Sequence, residues 1–163
     1  MTDQFLARLD SPIGRLELLA DDDAVTSLSI ERDGALPHDA EPEHRNAVLD
    51  AALTQLREYF AGERTDFDVP VRLHGTAFQL AVWNRLQQLQ WGDATSYGAL
   101  AAAVGKPGSA RAIGGAVGAN PVPILVGCHR VLASDGRITG YSAGEGVPTK
   151  LWLLGHEHIG FAA

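Results

Sequence analysis

Cysteine is almost absent from this chain: Cys128 is the single one among 163 residues. An internal disulfide is therefore excluded, and so is a metal site built from several thiolates. No apolar run reaches the roughly eighteen residues of a membrane-spanning helix. The opening Met1-Thr2-Asp3-Gln4 has neither the basic region nor the long apolar core of a secretory signal. Internal repeats and low-complexity tracts are missing as well. These absences predict a soluble, cytoplasmic monomer with no membrane partner and no metal, in a compartment that keeps Cys128 a free thiol.

Positive charge is also scarce, with 13 Lys and Arg against 20 Asp and Glu and a net charge of -7. Taken as a whole, that balance argues against a polyanionic partner. Its distribution reverses the argument. Residues 1–93 hold 8 basic and 17 acidic side chains, whereas residues 94–163 hold 5 basic and 3 acidic. The second half can meet phosphate, though weakly and with strong salt sensitivity.

What is present is a core-forming composition, 45% hydrophobic, in a chain long enough for one domain or two small ones. Phe5–Leu9 and Arg15–Leu19 flank the turn residues Ser11-Pro12-Ile13-Gly14 and read as a hairpin, with Val25–Ile30 as a third strand. A helix over residues 45–61 presents Val48, Ala52, Leu53, Leu56 and Tyr59 at helical spacing to cover that sheet. Residues 62–75 read as a connector, so the predicted domains are 1–75 and 76–163.

The second half is predicted helical. Thr76 caps a helix to Leu89, Ser96 caps one from Tyr97 to Val104, and Ser109 caps one from Ala110 to Gly118. The tight Gly105-Lys106-Pro107-Gly108 turn between the last two gives a helix-turn-helix pattern. Residues 130–140 around Asp135-Gly136 read as a hairpin, the wing of a winged helix. A helix over 148–158 closes the chain. The expected class is α+β.

Cys128 follows the apolar run Val122–Val126 and Gly127, and precedes His129 and Arg130. A lone cysteine is by default a small core hydrophobe. The abrupt change to ionisable neighbours instead predicts a partly solvated thiol whose pKa is lowered by a nearby cation. His129 is the candidate base, and Glu157 the candidate carboxylate that orients it.

Four segments in order, Ser96-Tyr97-Gly98-Ala99-Leu100, Ser109-Ala110-Arg111-Ala112-Ile113-Gly114-Gly115, Asn120-Pro121 to Cys128-His129-Arg130-Val131, and Gly140-Tyr141-Ser142, closely resemble the O6-alkylguanine-DNA alkyltransferases. The resemblance runs from about Thr76 to Glu157. The first half fits that family's ribonuclease-H-like domain in size and element order. The resemblance implies irreversible, single-turnover transfer of an alkyl group from O6 of guanine in double-stranded DNA, with O4 of thymine as a further candidate, to Cys128. By the same resemblance no organic cofactor is needed, and His129, Glu157, Asn120 and Tyr97 assist the reaction. Tyr97, Val131, Tyr141 and Ser142 then hold the flipped base, and Thr95, Ser96, Arg111, Ala112, Gly114 and Gly115 meet the DNA.

Four departures from the family pattern accompany the match. Gly127 stands where proline is usual, Gly118 where a basic residue is frequent, Ala143 where a glycine is common, and Glu145-Gly146-Val147 forms an insertion. Gly127 leaves a non-repairing lesion sensor as one alternative. A plain winged-helix regulator is a second, although Ala110–Gly118 offers few side chains for reading bases. A thiol hydrolase that turns over repeatedly is a third.

Overall fold

The computed structural model describes residues 4–162. The chain is α+β and divides into two compact units, Met1–Leu73 with Ala143–Glu145, and His74–Ser142 with Gly146–Ala163.

In the first unit, β1 (Phe5–Leu9), β2 (Leu16–Ala20) and β3 (Val25–Ile30) form an antiparallel sheet in the order β1-β2-β3. The register pairs Ala7 with Leu18 and Leu18 with Leu28, which places buried side chains of all three strands on one face. Helix α1 (Ala47–Phe60) covers that face with Leu49, Ala52, Leu53, Leu56 and Tyr59, all buried. Its cap is Asn46, whose side chain accepts from the Leu49 N–H. The helix thus begins slightly later than its apolar periodicity indicates, because the cap and not the first apolar residue fixes its start.

In the second unit, α2 (Ala77–Gln87) opens with a reciprocal capping box. The Thr76 hydroxyl accepts from Gln79 N–H at 3.1 Å while Gln79 Oε1 accepts from Thr76 N–H at 3.0 Å. Its Trp83 is buried and donates its indole N–H to the Ala116 carbonyl at 2.8 Å. That bond ties α2 to α4 (Ala110–Gly118), and α3 (Tyr97–Ala103) packs beside both. The Ser96 side chain caps α3 through Ala99 N–H, whereas Ser109 makes no side-chain cap bond to α4.

The hairpin expected over residues 130–140 forms only at its turn, where the Ala133 N–H donates to the Arg137 carbonyl at 2.9 Å, with no strand on the return side among the described residues. Asp135-Gly136 does sit in a tight turn, with the Gly136 N–H donating to the Ala133 carbonyl at 2.8 Å. The strand before it, β5 (Val131–Leu132), pairs in parallel with β4 (Thr95–Ser96), and Arg137 bridges to Ala162. Helix α5 (Val147–His156) closes the fold, and the left-handed His158 lets the Ile159 N–H reach back to the Leu154 carbonyl.

Candidate active site

The segment that carries Cys128 is held from within. Asn120 Nδ2 donates to the Val126 carbonyl at 2.8 Å, and Asn120 Oδ1 accepts from the Val122 N–H at 3.0 Å. Between them Ile124 adopts φ 75 while buried, a costly conformation for a β-branched residue that persists only where its surroundings dictate it. At Gly127, φ -76 and ψ 62 with a Cys128 N–H to Val126 carbonyl bond of 2.8 Å make an inverse γ-turn. Gly127 therefore already holds the φ that proline would impose. A single 3-10 turn follows over Cys128–Arg130.

Cys128 is 4% exposed, so the sequence-based expectation of a partly solvated, acidified thiol is overturned. Burial pushes its pKa up, against the downward pull of hydrogen bonds from Tyr141 and Asn120 and of the Lys150 charge. The resting sulfur is a thiol, donating to Tyr141 Oη at 3.6 Å. Once ionised, it can accept from the same phenol O–H.

His129 and Glu157 are both fully buried, with Nε2 and Oε2 2.8 Å apart. Glu157 also accepts from Arg130 Nε at 2.7 Å, and Arg130 Nη1 donates to the Leu89 carbonyl at 2.9 Å. Burial depresses the His129 pKa, while the charge of Glu157 is already balanced by Arg130. His129 is thus neutral, and a carboxylate at Nε2 assigns the ring proton to that nitrogen. Nδ1 is left as a bare lone pair, the one buried side-chain polar atom without a partner among the described residues. That is the state of a base waiting for a proton.

Two residues of this centre are given no role in it by the sequence reading, which counts both in the positive charge of the second half and quotes Arg130 only as a neighbour of Cys128. Arg130 is buried and fixes Glu157. Lys150, 1% exposed, donates to the Val131 carbonyl at 2.6 Å. In the His156-Glu157-His158 run, His156 stacks on Trp152 at 4.7 Å, and only Glu157 turns inward.

The remaining candidates lie on β4, α3, α4 and the loop before α5. Tyr97 Oη accepts from Thr139 Oγ1 at 3.1 Å, and a Cβ added at Gly114 would stand 3.9 Å from the Tyr97 ring. Arg111, Ala112 and Gly115 are exposed on α4, and Thr95 and Ser96 are half-buried in β4. Ser142 is exposed, and a Cβ at Gly118 would meet its hydroxyl at 2.8 Å, so glycine there leaves room for Ser142. The structure brings Cys128 and Tyr141 into contact and joins His129 to Glu157. Chemically, the centre offers a buried nucleophile, a neutral base and hydrogen-bond donors.

No helix among the described residues is long and apolar enough to cross a membrane, and no group of three His, Cys, Asp or Glu there could hold a metal ion.

Comparison with known proteins gives one answer over both halves. Residues 77–159 match the family model of the 6-O-methylguanine DNA methyltransferase DNA binding domain, and residues 6–73 that of its ribonuclease-like domain. A methylated-DNA–protein-cysteine methyltransferase of Mycolicibacterium paratuberculosis is 42% identical over 91% of this chain and 89% of its own. One of Haemophilus influenzae is 35% identical over 98% of this chain and 89% of its own. The solved O6-methylguanine methyltransferase of Mycobacterium tuberculosis superposes with a TM-score of 0.84 at 39% identity, covering 95% of this chain and 93% of that one. The structure of M. tuberculosis OGT in complex with DNA gives 0.82 at 41%, covering 92% and 90%.

Proposed function

The chain belongs to the 6-O-methylguanine DNA methyltransferase family, and from that membership we propose that it repairs DNA by moving the methyl group of O6-methylguanine onto Cys128. One observation carries the reading: the reaction needs an acceptor cysteine, and the chain has one, buried beside a neutral histidine whose Nδ1 is free. The partner is double-stranded DNA, the place of action the cytoplasm. Residues 76–163 act as the alkyltransferase domain and residues 1–75 as the ribonuclease-like one, a division that the two compact units support.

O6 of guanine lies inside the duplex, so the nucleotide must leave the stack before a thiol can reach it. Helix α4 suits the minor groove, where Ala112, Gly114 and Gly115 permit close approach. Arg111 fills the space that the extruded base leaves. Thr95 and Ser96 contact the backbone. The extruded guanine sits against Tyr97, Val131, Tyr141 and Ser142.

In the transfer step, His129 Nδ1 takes the Cys128 proton through a water, and Glu157 stabilises the imidazolium. The sulfur attacks the methyl carbon, the C–O bond breaks, and its electron pair passes to O6. Guanine becomes a good leaving group only if that charge is met as it develops, by a proton or hydrogen bond from Tyr97 and the Ser142 N–H. Asn120 holds the loop throughout. The product is a thioether, so each molecule reacts once.

Incubation with duplex DNA bearing O6-methylguanine is expected to add one methyl group to the Cys128 peptide, one per protein, by mass spectrometry. An unmodified peptide with bound, intact lesion identifies a sensor instead, and repeated turnover a hydrolase. Arg111→Ala is expected to slow transfer from duplex DNA roughly tenfold or more while reaction with a free O6-alkylguanine base is kept, because only the duplex requires extrusion. Equal losses on both substrates would remove Arg111 from that role.

A further inference from the structure

The segment that returns from the turn after β5 is held along its length. The Ala133 N–H donates to the Arg137 carbonyl at 2.9 Å, and the Ala162 N–H, beyond α5, donates to the Gly136 carbonyl at 2.8 Å. Ile138 packs against the buried cluster of Leu132, Leu154 and Ile159. The Gly140 carbonyl accepts from the buried Lys150 Nζ at 3.4 Å. Thr139 lies between these two held neighbours. It is exposed, and its hydroxyl donates to Tyr97 Oη at 3.1 Å. The first turn of α3 runs beside the same segment, since a Cβ added at Gly98 would stand 3.5 Å from Ser134 Oγ. Both stretches leave one parallel ladder, which pairs Thr95 with Val131 and Ser96 with Leu132. The Thr139–Tyr97 bond therefore joins two fixed pieces of backbone within one compact unit.

We propose that Thr139 is a positioning residue for alkyl transfer, holding the Tyr97 phenol so that its proton is aimed at the extruded guanine. The proposal rests on the reading of Cys128 as the acceptor and of Tyr97 as a donor to the departing base. A phenol oxygen has one proton to give and lone pairs to receive with. Thr139 occupies one side of that oxygen, so the Tyr97 O–H is turned to the other. A phenol left to water would have to find that orientation anew for each base. Accepting from Thr139 also polarises the phenol and strengthens the bond it donates as charge grows on O6. Thr139 acts through Tyr97 and not on the reacting atoms.

The test measures transfer from duplex O6-methylguanine DNA, and affinity for it, in the wild type, Thr139→Val, Thr139→Ser, Tyr97→Phe and the double variant Tyr97→Phe with Thr139→Val. Valine keeps the branched shape and removes the donor, at an exposed position where the fold tolerates the change. Thr139→Val is expected to lower the rate at saturating DNA roughly fivefold, the worth of one neutral hydrogen bond, with DNA affinity kept. Thr139→Ser restores the hydroxyl and should stay near the wild-type rate. On top of Tyr97→Phe the valine change should cost nothing further, because no phenol proton is left to aim. A wild-type rate in Thr139→Val would overturn the proposal, as would an equal loss in Thr139→Ser, a full further loss in the double variant, or a loss confined to DNA affinity. If Tyr97→Phe does not fold, the two Thr139 variants decide alone. A wild type that leaves Cys128 unmodified refutes the functional reading instead.

Discussion

Cys128→Ala is expected to bind DNA as the wild type does and to transfer nothing. Burial holds the resting thiol protonated, so its reactivity depends on losing that proton at the moment of transfer. Alanine removes both the proton and the atom that forms the new bond. No second sulfur nucleophile of this kind exists, because Cys128 is the only cysteine. Tyr141 Oη, 3.6 Å away, is a phenol and a far weaker nucleophile than a thiolate at neutral pH. Loss of one buried heavy atom costs about 1 kcal/mol, too little to unfold a domain.

The proposed DNA contacts are on α4 and β4, so affinity and its salt dependence should be unchanged. The measurements are methyl incorporation by mass spectrometry and lesion-DNA binding at several salt concentrations. Residual transfer would place the acceptor elsewhere, and a parallel loss of binding would make Cys128 a structural residue.

The parts of this molecule written locally were legible in its sequence. The three strands follow from alternation and turn residues, and Thr76 and Ser96 cap the helices they precede because capping needs only neighbours. The parts that depend on partners far along the chain were not. Arg130 meets a carboxylate 27 residues away, and nothing local separates it from a surface arginine. Lys150 lies in the first turns of α5, where a lysine is normally solvated, yet it is buried against the Val131 carbonyl.

The chain has two Asp-Gly pairs after candidate strands. Both reverse the chain tightly, but Asp33-Gly34 follows a strand of the three-stranded sheet, whereas β5 before Asp135-Gly136 finds its ladder in parallel with Thr95–Ser96. A turn signal identifies a reversal and does not choose the ladder partner. The thiol was misjudged for the same reason. Its neighbours in sequence are polar, but they fold inward onto one another and leave the sulfur buried.

Glu157→Ala is expected to destabilise the fold by about 3–5 kcal/mol, because it strands the buried Arg130 guanidinium without its counter-ion. In a chain of this size that corresponds to a fall in Tm of roughly 6–20 °C. Glu157 occupies the C-cap of α5, the end at which the helix dipole disfavours an anion. Local rules would not put a carboxylate there, so its charge is held by tertiary partners. Burial alone would raise its pKa, but hydrogen bonds from His129 and Arg130 and the charge of Arg130 outweigh that and lower it from 4.5 to about 2.

A carboxylate whose folded pKa is depressed stabilises fully above its unfolded value and loses that contribution as pH falls through the folded one. The wild type should therefore weaken between pH 4.5 and about 2 more steeply than Glu157→Ala. Asp21 and Asp39, also lowered to about 2, contribute to both proteins and cancel in the difference. Glu157→Gln separates fold from chemistry, since its amide fills the space but offers one acceptor oxygen to two donors. The His129 proton is then no longer fixed on Nε2, and transfer should slow by more than the loss of stability explains. Urea unfolding across pH, with transfer rates of both variants, makes the comparison; equal acid limbs in wild type and Glu157→Ala would mean that the carboxylate is not held ionised.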